Sequence, residues 1–208
     1  MRKFLSTTAG KVTLSAGILG VGAAMAGLGT FATFTSTTSA SQSVTSGTVV
    51  IGLGAAGPAN RISVAASGVI AGDTIQRAFN LINSGNQNLA TVGLTTNATT
   101  SSLLDSDAVN GLQMVVDKCS VPWTEGGTAP AYTYTCSGAT SIVIGSRAVI
   151  GANINMPALS SFTAGATDYL RVTETLPQAT GNAFNTGTAI NSVINFSFLG
   201  TQRTATSQ

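Results

Sequence analysis

Residues 190–202 read INSVINFSFLGTQ. Ile190, Ile194, Phe196 and Phe198 share one parity, and Asn191, Asn195 and Ser197 share the other. Successive side chains of a strand point to opposite faces, so this alternation predicts a strand with one apolar face and one wet face. A sheet of such strands is covered on one side only and needs a second layer to bury that side.

Working outward from this stretch, the same period recurs in short runs between turn residues. Gly47–Leu53 offers Val49 and Ile51 on one face, and Arg61–Ala66, after the turn Gly57-Pro58, offers Ile62, Val64 and Ala66. Gly72-Asp73 opens a run with Ile75, Phe79 and Leu81 inward; Arg77 shares that face and must reach an edge or a partner. Asn83–Asn86 is a turn, and Leu89–Asn97 returns with Ala90, Val92 and Leu94 inward, so these two runs are expected to pair as a hairpin. Leu112–Lys118, Ala139–Ile154 and Asp168–Leu176 (Leu170 and Val172 inward) complete the set. No window of a dozen residues beyond the N-terminal segment carries a helical stripe. Eight to ten such runs predict an all-β, antiparallel two-sheet sandwich of jelly-roll type.

The chain has 208 residues, of which 43% are hydrophobic but only 8% charged. That is about a third of the usual charged share. Ser, Thr, Asn and Gly supply the polarity instead, so the surface offers little electrostatic resistance to self-association. The N-terminus explains the formal charge of +2. Arg2, Lys3 and Lys11 precede the apolar, Gly- and Ala-rich segment Val12–Phe31, which is the architecture of an export signal. At this length it also suffices to span a bilayer, but its Gly and Ala make it a weak anchor, so membrane contact is expected only through the uncleaved signal. Cleavage after Ala32, freeing Thr33, puts Thr30 and Ala32 at the −3 and −1 positions; cleavage after Ala40 is the alternative. Removing three of nine basic residues leaves six against seven acidic ones. The six (Arg61, Arg77, Lys118, Arg147, Arg171, Arg203) are scattered, which excludes the clustered cations that nucleic-acid binding requires.

The expected organisation is a signal at 1–32, a strand-prone segment at 33–45, a sandwich at 46–203 and a frayed tail at 204–208. Thr33–Thr45 holds no Pro, Gly or charge and is rich in β-branched Thr. Such a segment can add to an open sheet edge of a neighbour, or it can stay a disordered leader or pair within its own domain. In an exported chain Cys119 and Cys136 are expected to form one disulfide, closing a turn-rich loop and contributing roughly 3 kcal/mol in the chain-entropy model. The alternative is two buried thiols.

The chain has no histidine, which excludes Ser-His-Asp triads, Cys-His pairs and the His-Glu-x-x-His zinc motif. The carboxylates Asp73, Asp105, Asp107, Asp117, Glu125, Asp168 and Glu174 are spread over separate turns and strands, as solvated turn residues would be. Asp105-Ser-Asp107-Ala-Val-Asn110 faintly matches a calcium loop but has Val109 and Asn110 where a ligand and a Gly belong, so a turn is expected. Leu176-Pro-Gln-Ala-Thr-Gly181 has the look of a sortase signal with one residue inserted, but an amphipathic strand follows it, which rules out wall anchoring by that route. No catalytic residue, metal or cofactor is assigned.

Three blocks together carry a family resemblance. They are Gly29-Thr30-Phe31-Ala32 with Phe34 and the strand from Ser46 to Ile51; Gly72-Asp73, Phe79 and Asn83-Ser84-Gly85; and Ile194–Phe198 with Thr201-Gln202. In this order they resemble the camelysin/TasA-type secreted proteins of biofilm matrix and spore coat. Ser36 stands where family members often carry Asp, and the cysteine loop departs from the pattern. The resemblance implies a SipW-type signal peptide, a dedicated signal peptidase as partner, and a jelly-roll subunit that forms extracellular homopolymers head to tail. Thr33, Phe34, Thr35, Ser36, Thr37, Thr38 and Val44 would then lie in a donor strand. It also implies a competing expectation, a camelysin-like metalloendopeptidase; apart from the resemblance, the alternative is a secreted surface-binding module in the matrix or on the cell surface.

Overall fold

The computed structural model describes residues 48–62, 64–180, 184 and 191–205. The strands are β1 (Ile51–Leu53), β2 (Val64–Ser67), β3 (Thr74–Asn83), β4 (Leu89–Thr100), β5 (Gln113–Cys119), β6 (Thr124–Thr128), β7 (Ala131–Thr135), β8 (Thr140–Ala148), β9 (Gly151–Asn155), β10 (Thr167–Thr175) and β11 (Asn191–Gln202). Among the described residues a short helix, α1 (Leu103–Ser106), and a 3-10 turn (Ser160–Phe162) interrupt them. The first sheet has the order β1-β3-β10-β5-β8, the second β2-β11-β4-β9, and β6 and β7 form a separate ribbon. Every pairing is antiparallel. The protein is the all-β sandwich that the alternation predicts.

The two sheets bury a single main core. Phe79, Leu81, Met114, Val116, Leu170 and Val172 come from the first sheet, and Val92, Leu94 and Ile154 from the second. β10 shows the cause most plainly: Asp168, Leu170, Val172 and Glu174 are all buried while the residues between them are half-buried. On β11 the expected apolar side is again the inner one, with Ile194 fully buried and Asn195 and Ser197 exposed.

Two expectations need correction. β3 and β4 do not pair: β3 lies in the first sheet and β4 in the second, so the turn after Asn83 crosses the sandwich. Both runs point their apolar residues into the same core from opposite sides, a pattern that alternation alone does not distinguish from a hairpin. Asn83, fully buried, organises the corner. Its side chain accepts from Gly85 N and donates to Gln87 O, and its backbone N–H reaches Ala166 O. Gly85 is required there because a Cβ would collide with the carbonyl of Thr48. The second correction concerns Ala90, which is exposed, while Leu89 is buried. The β4–β11 register shifts between Thr201 and Gln202, pairing Thr91 with Thr201 but Leu89 with Gln202. That bulge inverts the parity of the strand end.

From β1 to β5 the chain alternates between the sheets, and it does so again from β8 to β11. The connection from β5 to β8 stays within the first sheet, and it carries the β6–β7 ribbon. The disulfide Cys119–Cys136 closes the base of this excursion, with a Cα–Cα distance of 5.8 Å. The ribbon folds back over the outer face of the first sheet, where Ala78, Cys119, Trp123 and Tyr134 form a second buried cluster. The first sheet is therefore apolar on both faces at this point, which corrects the expectation of one wet face.

Two arginine stacks, each backed by a carboxylate, help to fasten the ribbon. The Arg171 guanidinium lies 4.3 Å from the Trp123 ring centroid and makes two bonds to the Asp117 carboxylate, at 3.1 and 2.7 Å. Arg61 lies 4.7 Å from the Tyr132 ring and donates at 2.7 Å to Glu125, which also accepts from the Tyr134 hydroxyl at 2.8 Å. Opening the disulfide with Cys119→Ala/Cys136→Ala is expected to lower stability by about 2–3 kcal/mol, because a closed loop of this size restrains the unfolded chain. Urea unfolding followed by Trp123 emission checks this, since Trp123 is the chain's one tryptophan and sits under the ribbon. An unchanged midpoint would show that the stacks alone hold the ribbon.

Candidate assembly site

A sandwich that polymerises by strand addition needs an accessible sheet edge. The edges here are not equivalent. β1 and β2 are three and four residues long. β8 meets β5 through two register shifts, between Met114 and Val116 and between Val116 and Asp117. β9 has five residues and a shift of its own where it meets β4. Short and bulged edges are the usual protection against unwanted pairing.

β11 differs. β2 pairs with it only over Asn191–Ile194. From Asn195 onward the side of β11 facing away from β4 pairs with no strand among the described residues. Between the register shifts at Val193/Ile194 and Thr201/Gln202 its ladder with β4 is regular. The stretch Asn195–Thr201 has no charged residue and no proline to block an incoming strand. Phe196 and Phe198 are partly buried against the core, and the Phe198 ring lies 5.2 Å from that of Phe79. Leu199 is 63% exposed.

The expected site residues fall into two groups. Cys119 and Cys136 are joined as the export reading requires. The cleavage pair Ala32 and Thr33, the alternative site at Ala40, and the donor residues Thr33–Thr38 and Val44 lie outside the described residues. Arg77 does reach an edge: it donates to Gln76 O and Pro130 O and lies 5.3 Å from the Tyr132 ring. Sequence reading missed the Arg171–Trp123 stack, because its partners lie far apart in the chain and neither belongs to a motif.

The donor set bears directly on metal chemistry. Both cysteines are in the disulfide and the chain lacks histidine, so only seven carboxylates remain. Asp117 is held by Arg171, and Glu125 by Arg61 and Tyr134. Arg61 keeps the Glu125 carboxyl below its usual range, chiefly through their hydrogen bond. Asp168 accepts from the N–H groups of Ser160 and Ser161 and lies 4.0 Å from Lys118. Asp105 caps α1, and Asp107 closes a turn by accepting from Val109 N and Asn110 N. Hydrogen bonds from Asn110 and Val109 lower the Asp107 pKa. Asp73 accepts from Ile70 N. Glu174 is buried away from the others, and burial pushes its carboxyl up to about 7. No three metal-ligating side chains come together among the described residues. Zinc prefers N or S ligands, and this arrangement does not fit it.

The fold defines the class of protein, an antiparallel β-sandwich, and among the described residues Asn195–Thr201 of β11 is a charge-free run with a strand on one side only. Residues 9–117 match the camelysin metallo-endopeptidase family, and the chain belongs to that family. The match begins just before the N-terminal apolar segment and ends within β5. No curated protein matches the chain. Among the described residues no helix is long and apolar enough to cross a membrane.

Proposed function

We propose that the chain is a secreted structural subunit, cut after Ala32 by a dedicated signal peptidase, that polymerises in the extracellular matrix or on the cell surface. Thr33–Val44 of one subunit adds as a strand to the β11 edge of the next. The observation that carries this reading is the run Asn195–Thr201, free of charge, regular in register and without a second strand partner among the described residues, in a fold whose other described edges are short or bulged. An N-terminal donor and a distant acceptor make a head-to-tail contact that does not close on itself, which generates filaments.

Electron microscopy of the chain beginning at Thr33 is expected to show fibres, and the chain lacking Thr33–Val44 is expected to remain monomeric. Equal fibre yield from both would sink the proposal. The family's description favours a second reading, a metalloendopeptidase. Against it stands a donor set of carboxylates that are mostly committed to hydrogen bonds within the fold. Measuring bound zinc in pure protein, together with chelator-sensitive cleavage of an unfolded substrate, separates the two.

A further inference from the structure

Among the described residues Arg61 meets Glu125, Lys118 meets Asp168 and Arg171 meets Asp117. Arg77 is only 7% exposed, more buried than any of them, yet it contacts no carboxylate among the described residues. Its recorded bonds go to two carbonyls, Gln76 O at 2.6 Å and Pro130 O at 3.4 Å. A guanidinium carries five N–H donors, so these contacts leave several without an acceptor. Glu125 and Glu174 offset its charge only from a distance, so an oxyanion placed against it would add a direct ion pair and hydrogen bonds that the fold itself does not supply.

Space for one exists. Arg77 lines a hollow of about 290 Å³ beside β3, walled by Val69, Ile75, Pro130, Ala131 and the ring-bearing Tyr132. β1 covers β3 only at Leu81–Asn83, which leaves this end of the strand clear of it. The lining is about equally polar and apolar: Val69, Ile75, Pro130 and Tyr132 offer apolar surface to a ligand's body, while Thr74 and Arg77 offer polar atoms to its charged end. Asp73 also lines the hollow, and its negative charge disfavours a doubly charged guest such as phosphate. Glu125 and Glu174 feel the Arg77 charge but make no hydrogen bond to it.

We infer that this hollow is a binding site for a monocarboxylate with a small apolar body, its carboxylate held by Arg77. The carboxylate has two sources, a free small acid or the C-terminus of a polypeptide, and different probes separate them. The probes are 3-phenylpropanoate, N-acetylphenylalanine as a peptide-like carboxylate, 3-phenylpropanamide and inorganic phosphate, titrated into isotope-labelled whole protein and followed by NMR.

The expected result is saturable shifts at Arg77 Nε, Val69 and Tyr132 in the millimolar range with one or both carboxylates, and none with the amide. Phosphate is expected to bind at least tenfold more weakly. Preference for 3-phenylpropanoate identifies a small acid as the guest, and preference for N-acetylphenylalanine a chain terminus. Arg77→Gln is expected to weaken binding at least tenfold. Ala131→Trp, which fills the hollow from an exposed wall position without touching the guanidinium, is expected to do the same in a fully folded protein. Equal shifts with acid and amide, or undiminished binding in Ala131→Trp, would overturn the inference.

Discussion

Asp105→Ala is expected to destabilise the protein by about 4 kcal/mol, whereas Asp107→Ala, two residues along, is expected to cost less than about 1 kcal/mol. The two residues look alike in sequence but do different jobs. Asp105 is buried, and its carboxylate accepts from Ser102 N at 2.7 Å, Ser101 Oγ at 2.8 Å and Ser192 Oγ at 2.5 Å. The first of these completes the capping box of α1, and the last ties the helix to β11 near the point where β2 stops pairing. Hydrogen bonds to a charged acceptor contribute about 1.5–3 kcal/mol each, and truncation leaves the fully buried Ser192 with only its 2.7 Å contact to Ser102 Oγ. Asp107 is only half-buried, and its bonds close a local turn whose donors water can reach. Urea unfolding of the two variants checks the contrast. Similar losses in both would mean that Asp105 is not a structural tie. Added calcium is expected to leave both midpoints unmoved, since the Asp105 oxygens are already occupied within the fold.

The second large effect is a dependence on pH. Glu174 is fully buried on the inner face of β10, and neither of its carboxylate oxygens has a hydrogen-bond partner. Burial raises its pKa to about 7, and the Arg77 charge opposes the rise without cancelling it. In the unfolded chain the group titrates at its ordinary value of 4.5. Between these two values the folded protein keeps a proton that the unfolded chain has released. The stabilisation is therefore complete below the unfolded pKa, falls as the pH rises toward 7, and is lost above it. A difference of this size corresponds to about 3 kcal/mol across the window.

The window is otherwise quiet, because the chain has no histidine to titrate there. Stability of the wild type, measured by urea unfolding from pH 4 to pH 8, is expected to decline steadily. Glu174→Gln is expected to flatten that profile and to exceed the wild type at pH 8. An identical slope in the variant would assign the decline to another group. Glu125 and Asp107, both with lowered pKa values, act in the opposite sense: their stabilisation is present above the ordinary carboxyl range and is lost as the pH falls through their folded values.

How much of this was legible beforehand depends on the range of the interaction. The inward set Phe79, Leu81, Val92, Leu94, Leu170 and Val172 was readable because two-residue alternation is a local property of the backbone. The β3–β4 pairing was misread because two strands that share a core look the same whether they lie side by side or face each other. Ala90 was misplaced because its parity depends on a bulge opposite Thr201 and Gln202, more than a hundred residues downstream. Glu174 was counted among solvated turn carboxylates. Its position in the alternation of β10 puts it inward with Leu170 and Val172.

The edge that the assembly proposal needs was outside the reach of local reading altogether. Alternation identified β11 and its faces, but whether a strand lies uncovered depends on where its neighbours stop, and β2 stops at Ile194 because the chain before it runs along β3 instead. The sequence by itself determined the strand-forming segments, their apolar faces, the cysteine pair and the lack of imidazole ligands, all of which follow from residue type and spacing. The tertiary structure alone decided which strands share a sheet, which edge stays open, and which charges are buried. Those outcomes follow from long-range pairing and from how much surface each layer covers, so no single stretch of the chain contains them.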